Sequence, residues 1–297
     1  MASKFILHMI TPLKHMSPFD VNMALDAGFD AVLPYTNVDA KEVTGLVQDA
    51  MFSRPPHDAV RTGIFIGGKD AILALDMLDA AKMALFKPFE LSIFADPAGS
   101  FTTAAAMVAC VEKLLKKEWK RDVKGTKIVV YGATGVVGFT SGVIASLEGA
   151  DVTLAGYDGA ARVERAAREI RKRFDTSVNA ADASTPDKIR RLLQKSDIAL
   201  CAGRAGVQII SEADVKAADS LLIAADVNAV PPPGVGGLDS QNKGEPIAGT
   251  KVRGIGAFAI GNVKYQTESG LFKRMVKAKE ALALDFRDAF RLARELA

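Results

Sequence analysis

The chain has 297 residues, 49% of them hydrophobic and 25% charged, with a formal net charge of +3. That length suits about two globular domains with sizeable cores, and so small a charge argues against nucleic acid as an obligate partner, since phosphate binding clusters Lys and Arg on one face. Two cysteines and three histidines show no disulfide or metal spacing; with no signal-peptide layout at Met1–Ile10 and no apolar run expected to reach membrane length, a cytoplasmic protein without membrane or metal is expected.

In chain order, Phe5–Ile10 reads as a strand and Pro18–Ala27 as a helix, with Ser17 as N-cap and Pro18 at the first position. Ala31–Pro34 is a second strand, Asp39–Phe52 a second helix and Thr62–Gly67 a third strand. A helix from about Asp70 to Met83 and a strand at Leu91–Ala95 complete a βαβα rhythm, which implies a parallel sheet covered by helices. A longer helix starts near Ser100 and ends near Lys117, and polar Trp119–Gly125 reads as a hinge. Further strands follow at Lys127–Tyr131, Asp151–Ala155, Ser177–Ala180, Ile198–Ala202 and Leu221–Ala225. From Leu271 to Ala297 apolar residues keep helical spacing without a break, as in a terminal helix returning to the first domain. Basic stretches such as Lys113–Arg121 and Arg162–Arg173 read as solvated helix faces, and Cys110 and Cys201 as buried free thiols. The expected fold is α/β with two domains, 1–104 with 271–297, and 105–270.

Gly132-Ala133-Thr134-Gly135-Val136-Val137-Gly138 follows a strand and opens the apolar helix Val136–Leu147, with another strand next. That context makes it a dinucleotide-binding turn in a Rossmann-type unit. Gly132 permits the tight turn, Gly135 lets the backbone approach a pyrophosphate, and Gly138 lets the helix pack close. The helix N-terminus, through Val136 and Val137 beside Thr134, offers N–H groups and a positive dipole end to the anion. After the second strand, Tyr157 and Asp158 stand where the adenosine ribose is read. A carboxylate there accepts from both ribose hydroxyls and repels a 2′-phosphate, which favours NAD; Asp158 as a helix N-cap is the alternative, and the two roles can coexist. Arg162, one helical turn on, is able to receive a phosphate, so NADP stays open. Ala202 and Gly203 after the fourth strand, and Asp226 and Asn228 after the fifth, are expected along the cofactor. Pro231–Gly237 is either a loop over the cofactor or a plain surface connection.

Five stretches together, Ser17–Asp20, Asp96–Ala106, the Gly132 turn, Asp226–Asp239 and Gly254–Lys264, resemble the bacterial methylene-tetrahydromethanopterin dehydrogenases of one-carbon metabolism in methylotrophs. These are relatives of the methylene-tetrahydrofolate dehydrogenases, and the resemblance covers essentially the whole chain. It implies an N-terminal substrate domain for the pterin, a Rossmann-fold NAD(P)-binding domain, and a homo-oligomer, trimer or hexamer. It also implies oxidation of methylene- to methenyl-tetrahydromethanopterin with hydride passing directly to the nicotinamide. An NADP-specific branch resembles a pattern with Gly-Arg after the second Rossmann strand. Gly156-Tyr157-Asp158 stands there instead, which implies the NAD-using branch that also accepts NADP.

Such an oxidation creates an amidinium-like cation and moves no proton in the hydride step. It needs ring positioning and negative charge near the cation more than an acid/base pair, which fits three histidines (His8, His15, His57) without an evident dyad. Under the resemblance, Asp20 and Lys264 are the candidate catalytic residues, the carboxylate near the cation and the lysine at the substrate's polar edge or anionic tail, while Phe19 packs on the pterin ring and Thr102 and Thr103 bind substrate. From the residues alone, Asp20 is equally a dipole-favoured helix start, Ser100–Thr103 an ordinary helix cap, and Lys264 a surface lysine. The lysine motif of folate cyclohydrolases is not found, so dehydrogenase activity alone is expected. The competing readings are a methylene-tetrahydrofolate dehydrogenase, a shikimate-type dehydrogenase, whose Lys–Asp pair has no evident match, and a non-catalytic dinucleotide sensor.

Overall fold

The computed structural model describes residues 3–297. The first elements are β1 (Ile6–Ile10), α1 (Pro18–Asp26), β2 (Ala31–Tyr35), α2 (Val43–Phe52), β3 (Thr62–Ile66), α3 (Ala71–Ala84), β4 (Ser92–Ala95) and the long α4 (Ser100–Trp119). Then come β5 (Lys127–Tyr131), α5 (Val136–Leu147), β6 (Asp151–Gly156), α6 (Ala161–Phe174), β7 (Asn179–Asp182), α7 (Pro186–Leu193) and β8 (Ile198–Cys201). The chain continues with α8 (Glu212–Lys216), β9 (Ile223–Asp226), β10 (Lys243–Pro246), β11 (Arg253–Ile255), α9 (Ala257–Lys277), β12 (Ala283–Leu284) and α10 (Phe286–Leu296). Contacts divide it into two compact units: the described residues up to Thr102 with Tyr265–Leu292, and Thr103–Lys264 with Ala293–Ala297.

The first unit is built on a five-stranded parallel sheet, β12-β4-β3-β1-β2. Every residue of β3 and β4 is buried, and after Thr62 and Ser92 these strands carry no polar side chain, as sheets covered on both faces require. Phe65, Phe94 and Phe272 pack with ring centroids 5.2 to 5.5 Å apart, and burying each such ring contributes about 1.5–3 kcal/mol. Side-chain caps start the helices that cover the sheet. Ser17 Oγ accepts from the Asp20 N–H at 3.3 Å to open α1, and the Asp70 carboxylate accepts from Leu73 N–H at 2.8 Å to open α3.

The unbroken helix expected over 271–297 is not what forms. Helix α9 stops at Lys277, and β12 adds a strand beside β4, with Ala283 opposite Ile93 and Leu284 opposite Phe94. The sheet edge claims this segment: Ile93 N–H donates to the Leu282 carbonyl at 2.7 Å, and Leu282 N–H donates to Ser92 Oγ at 3.1 Å. Buried Asp285 then accepts the Arg287 N–H at 2.8 Å as α10 begins.

The second unit carries a seven-stranded sheet, β10-β11-β9-β8-β5-β6-β7, parallel except for β10 against β11. Counted from β5, the strands β7-β6-β5-β8-β9-β11 stand in the order 3-2-1-4-5-6 of dinucleotide-binding sheets. The direction of winding reverses between β5 and β8, and in such sheets the ligand crevice opens at the carboxyl ends there. Two expectations shift. The third strand lies at Asn179–Asp182 instead of Ser177–Ala180. The stretch Trp119–Gly125, expected as a hinge between domains, lies wholly in the second unit, where Val123 is buried and Thr126 Oγ1 donates to its carbonyl at 2.7 Å. Contrary to the expectation for apolar runs, Pro97–Trp119 is long and apolar enough by composition to cross a membrane, but it is mostly buried within the fold, as a core helix is.

Candidate cofactor and substrate sites

The turn between β5 and α5 contains three glycines with different physical demands. Gly132 has φ +73°, and a Cβ there would overlap the Ala202 carbonyl and come within 2.7 Å of Gly203 N. Only glycine fits, and the constraint locks the turn against the residues that follow β8. A Cβ on Gly138 would stand 2.8 Å from the Gly132 carbonyl carbon and 2.9 Å from Ala133 Cα, so the first turn of α5 packs directly on the loop. Gly135 differs. It is exposed with φ −79° and ψ 162°, and a Cβ would find only the Gly132 carbonyl oxygen, at 3.4 Å. The protein's own atoms leave that space open. Gly135 is also the N-cap of α5 and supplies no side-chain cap, so the first N–H groups of the helix, at Val136 and Val137, have no side chain of the cap to satisfy them, as at an anion-binding helix N-terminus. Thr134 is exposed at its rim.

At the end of β6, Gly156 and Gly159 fold the chain into a tight loop that projects Tyr157 and Asp158. A Cβ on Gly156 would overlap the Gly159 carbonyl, and Gly159 has φ +106°. Arg162 Nη1 donates to Asp158 Oδ2 at 3.2 Å and to Tyr157 Oη at 3.0 Å, and its guanidinium lies 5.6 Å from the Tyr157 ring centroid. The N-cap of α6 is Ala160, which makes no side-chain cap bond, so Asp158 does not cap this helix.

Asp226 and Asn228, expected along the cofactor, hold a loop together. Asp226 is 2% exposed and accepts from three backbone N–H groups: Asn228 at 2.9 Å, Gly234 at 2.6 Å and Val235 at 3.2 Å. Burial pushes its carboxyl above the usual range, and the three N–H donors oppose the shift. Asn228, also buried, accepts from Val230 N–H at 2.9 Å and Gly206 N–H at 3.3 Å and donates to the Pro232 carbonyl at 3.1 Å. Their side chains are therefore engaged in tying the loop 227–235 together and, through Gly206, to the loop after β8. Burial, aided by Asp226, likewise holds the Cys201 thiol far above its ordinary value, as suits an inert core thiol.

In the first unit, Asp20 lies in the first turn of α1 and is 1% exposed. Phe19 beside it is 46% exposed and meets Tyr265 edge-on, with centroids 6.4 Å apart. Thr102, expected to bind substrate, is engaged within the fold. It is fully buried, and its hydroxyl donates to Asp96 Oδ2 at 2.6 Å while Asp96 Oδ1 accepts from Phe101 N–H at 2.8 Å. Asp96 thus accepts first-turn N–H groups of α4, and Thr103 is the half-buried neighbour. Lys264 is half-buried on α9. One turn further, Thr267 and Glu268 are fully buried, polar residues that the sequence reading did not single out. Their spacing of three and four from Lys264 on one helix was the available signal. Among the described residues, no group of three or more His, Cys, Asp or Glu is placed to hold a metal ion.

Residues 18–98 match the family described as "Methylene-tetrahydromethanopterin dehydrogenase, N-terminal". Over 295 residues, 99% of this chain and 99% of the relative, the sequence is 53% identical to the NAD(P)-dependent methylenetetrahydromethanopterin dehydrogenase of Methylorubrum extorquens. Another protein of that organism, named bifunctional protein MdtA, is 33% identical over 281 residues, 95% of each chain. Among solved structures, shikimate 5-dehydrogenase from Listeria monocytogenes, in complex with shikimate and NAD, matches with a TM-score of 0.54 at 17% identity over 93% of both chains. At that identity the likeness is one of fold alone.

Proposed function

We propose that this chain, which belongs to the methylene-tetrahydromethanopterin dehydrogenase family, oxidises methylene-tetrahydromethanopterin to the methenyl form with NAD(P) as acceptor. The observation that carries the reading is the 53% identity across the whole chain to an enzyme of that name, joined to a β5–α5 turn whose Gly135 leaves space the protein does not fill. When bound, the nicotinamide supplies the hydride acceptor. The chain's own part is to hold and orient. Backbone N–H groups at Val136 and Val137 hold the pyrophosphate, Tyr157 and Asp158 hold the adenosine ribose, and Ala202 and Gly203 border the cofactor where Gly132 packs on them. Asp226 and Asn228 position those loops without touching the cofactor through their side chains.

For the pterin, Asp20 and Phe19 of the first unit are the residues we assign to substrate. Negative charge at Asp20 stabilises the cation that forms as hydride leaves, which is where preorganised electrostatics lowers a barrier. A cytoplasmic homo-oligomer, trimer or hexamer, belongs to the same reading through the family likeness, and light scattering tests it. The assay of function mixes purified protein with methylene-tetrahydromethanopterin, methylene-tetrahydrofolate or shikimate and either nicotinamide cofactor. Methenyl product and reduced nicotinamide are expected with the first. Turnover with shikimate alone, or cofactor binding without turnover of any substrate, would overturn the reading.

A further inference from the structure

The trio at the end of β6 does more than favour one cofactor. Asp158 and Arg162 are four residues apart, and the guanidinium is already held by two acceptors, the Asp158 carboxylate at 3.2 Å and the Tyr157 hydroxyl at 3.0 Å. None of the three is locked in the core: the Arg162 and Asp158 side chains are 43% and 38% exposed, and Tyr157 is 69% exposed. Exposed pairs of this kind are weak, because water competes for both partners. The loop that presents them, by contrast, is stiff, because Gly156 and Gly159 pack backbone against backbone.

A ribose with a free 2′-hydroxyl and a ribose with a 2′-phosphate make opposite demands on such a site. The hydroxyl donates to a carboxylate, and Arg162 can stay on Asp158 while Asp158 uses its remaining lone pairs. The phosphate brings negative charge that Asp158 repels and that a guanidinium holds in a forked, charge-assisted geometry. Resting on the proposed NAD(P) function, we propose that Asp158, Arg162 and Tyr157 form an exchangeable latch. With NAD the Arg162 side chain stays on Asp158. With NADP it leaves Asp158 for the 2′-phosphate, and Tyr157, within reach of the guanidinium in the parked state, keeps it at the site. One site thereby accepts both cofactors, and the weakness of the parked pair is what allows the exchange.

The test is titration of the purified, full-length protein with NADH and with NADPH, followed by nicotinamide fluorescence, in the wild type, Asp158→Asn, Arg162→Gln and the double variant. No pterin is needed, so cofactor choice is read separately from catalysis. Arg162→Gln is expected to raise the NADPH-to-NADH ratio of Kd by about tenfold to a hundredfold, the size of a charge-assisted hydrogen bond. Asp158→Asn is expected to lower that ratio by about tenfold, through lost repulsion and a released Arg162. In the double variant the gain from Asp158→Asn is expected to shrink, because no guanidinium remains to be released. Equal weakening of both cofactors by Arg162→Gln would overturn the latch, as would strictly additive effects of the two substitutions. Wild-type protein that binds neither cofactor would overturn the proposed function and the latch together. Binding of both with a ratio untouched by the variants would overturn the latch alone.

Discussion

Gly135→Ala separates a glycine kept for a ligand from one kept for the fold. The backbone at Gly135 is extended, φ −79° and ψ 162°, where alanine is at ease, and the added methyl would meet only the Gly132 carbonyl oxygen at 3.4 Å. Loss of the glycine N-cap costs a few tenths of a kcal/mol to about 1, and the stiffer unfolded chain returns about 0.4–1 kcal/mol. The two nearly cancel, so the melting temperature is expected within about 3 °C of wild type. Cofactor binding behaves differently, because the methyl occupies the space where pyrophosphate oxygens approach the helix N–H groups. A Kd for NADH about tenfold to a hundredfold weaker is expected, about 1.4–2.8 kcal/mol. Gly132→Ala is the contrast. There the methyl overlaps backbone at Ala202 and Gly203 with φ at +73°, and destabilisation of at least about 3 kcal/mol is expected. Differential scanning fluorimetry and NADH titration on both variants read the two quantities. Gly135→Ala with wild-type affinity would refute the cradle, and Gly135→Ala melting as low as Gly132→Ala would make its open space structural.

Asp226→Asn presents an amide NH2 to one of the backbone donors that the carboxylate satisfies; a loss of about 1–3 kcal/mol, or about 2–12 °C in melting temperature, is expected. Undiminished stability with only a turnover defect would make it a direct cofactor ligand. Asp20→Asn is expected to lower kcat at least about tenfold while NADH affinity stays within about twofold, and equal loss of both would mark a structural role. The Lys188 ammonium beside Asp182, with help from Ser184, holds that carboxyl down at about 2. A depressed carboxyl pKa contributes stability that is present above its unfolded value and is lost as pH falls through the folded one. The deficit of a Lys188→Met variant relative to wild type should therefore shrink between about pH 4 and about pH 2, and thermal melts across that window check the direction.

What the sequence revealed follows from which forces are local. Helix α5 was expected at Val136–Leu147 and is found there, because a strand, a glycine turn and an unbroken apolar stretch declare it within a few residues. The break between α9 and α10 was invisible, since 278–285 contains no Gly or Pro and its apolar spacing suits a helix as well as a strand. Only the exposed edge of β4, far away in sequence, turns that segment into β12. β10 reads Lys-Gly-Glu-Pro, a composition with no strand signature, and it forms because β11 supplies its partner. The candidate site divides in the same way. The glycines and the Tyr157–Asp158–Arg162 trio lie within one turn or one loop and could be read directly. Asp226 and Asn228 stand at a strand end where the sequence draws notice, but their partners at Gly206, Gly234 and Val235 come from loop closure that no spacing announces. Thr102 reads as cap or ligand from its spacing, and only the structure shows its hydroxyl on the buried Asp96 carboxylate at 2.6 Å.

Direct hydride transfer from the pterin is the central claim, and one isotopic measurement tests it. Methylene-tetrahydromethanopterin fully deuterated in its methylene group is incubated with the purified protein and NAD, and the reduced cofactor is examined by mass spectrometry. One deuterium at the nicotinamide for each methenyl product formed is the expected result. Reduced cofactor that carries only solvent hydrogen, or no reduction at all, would contradict it.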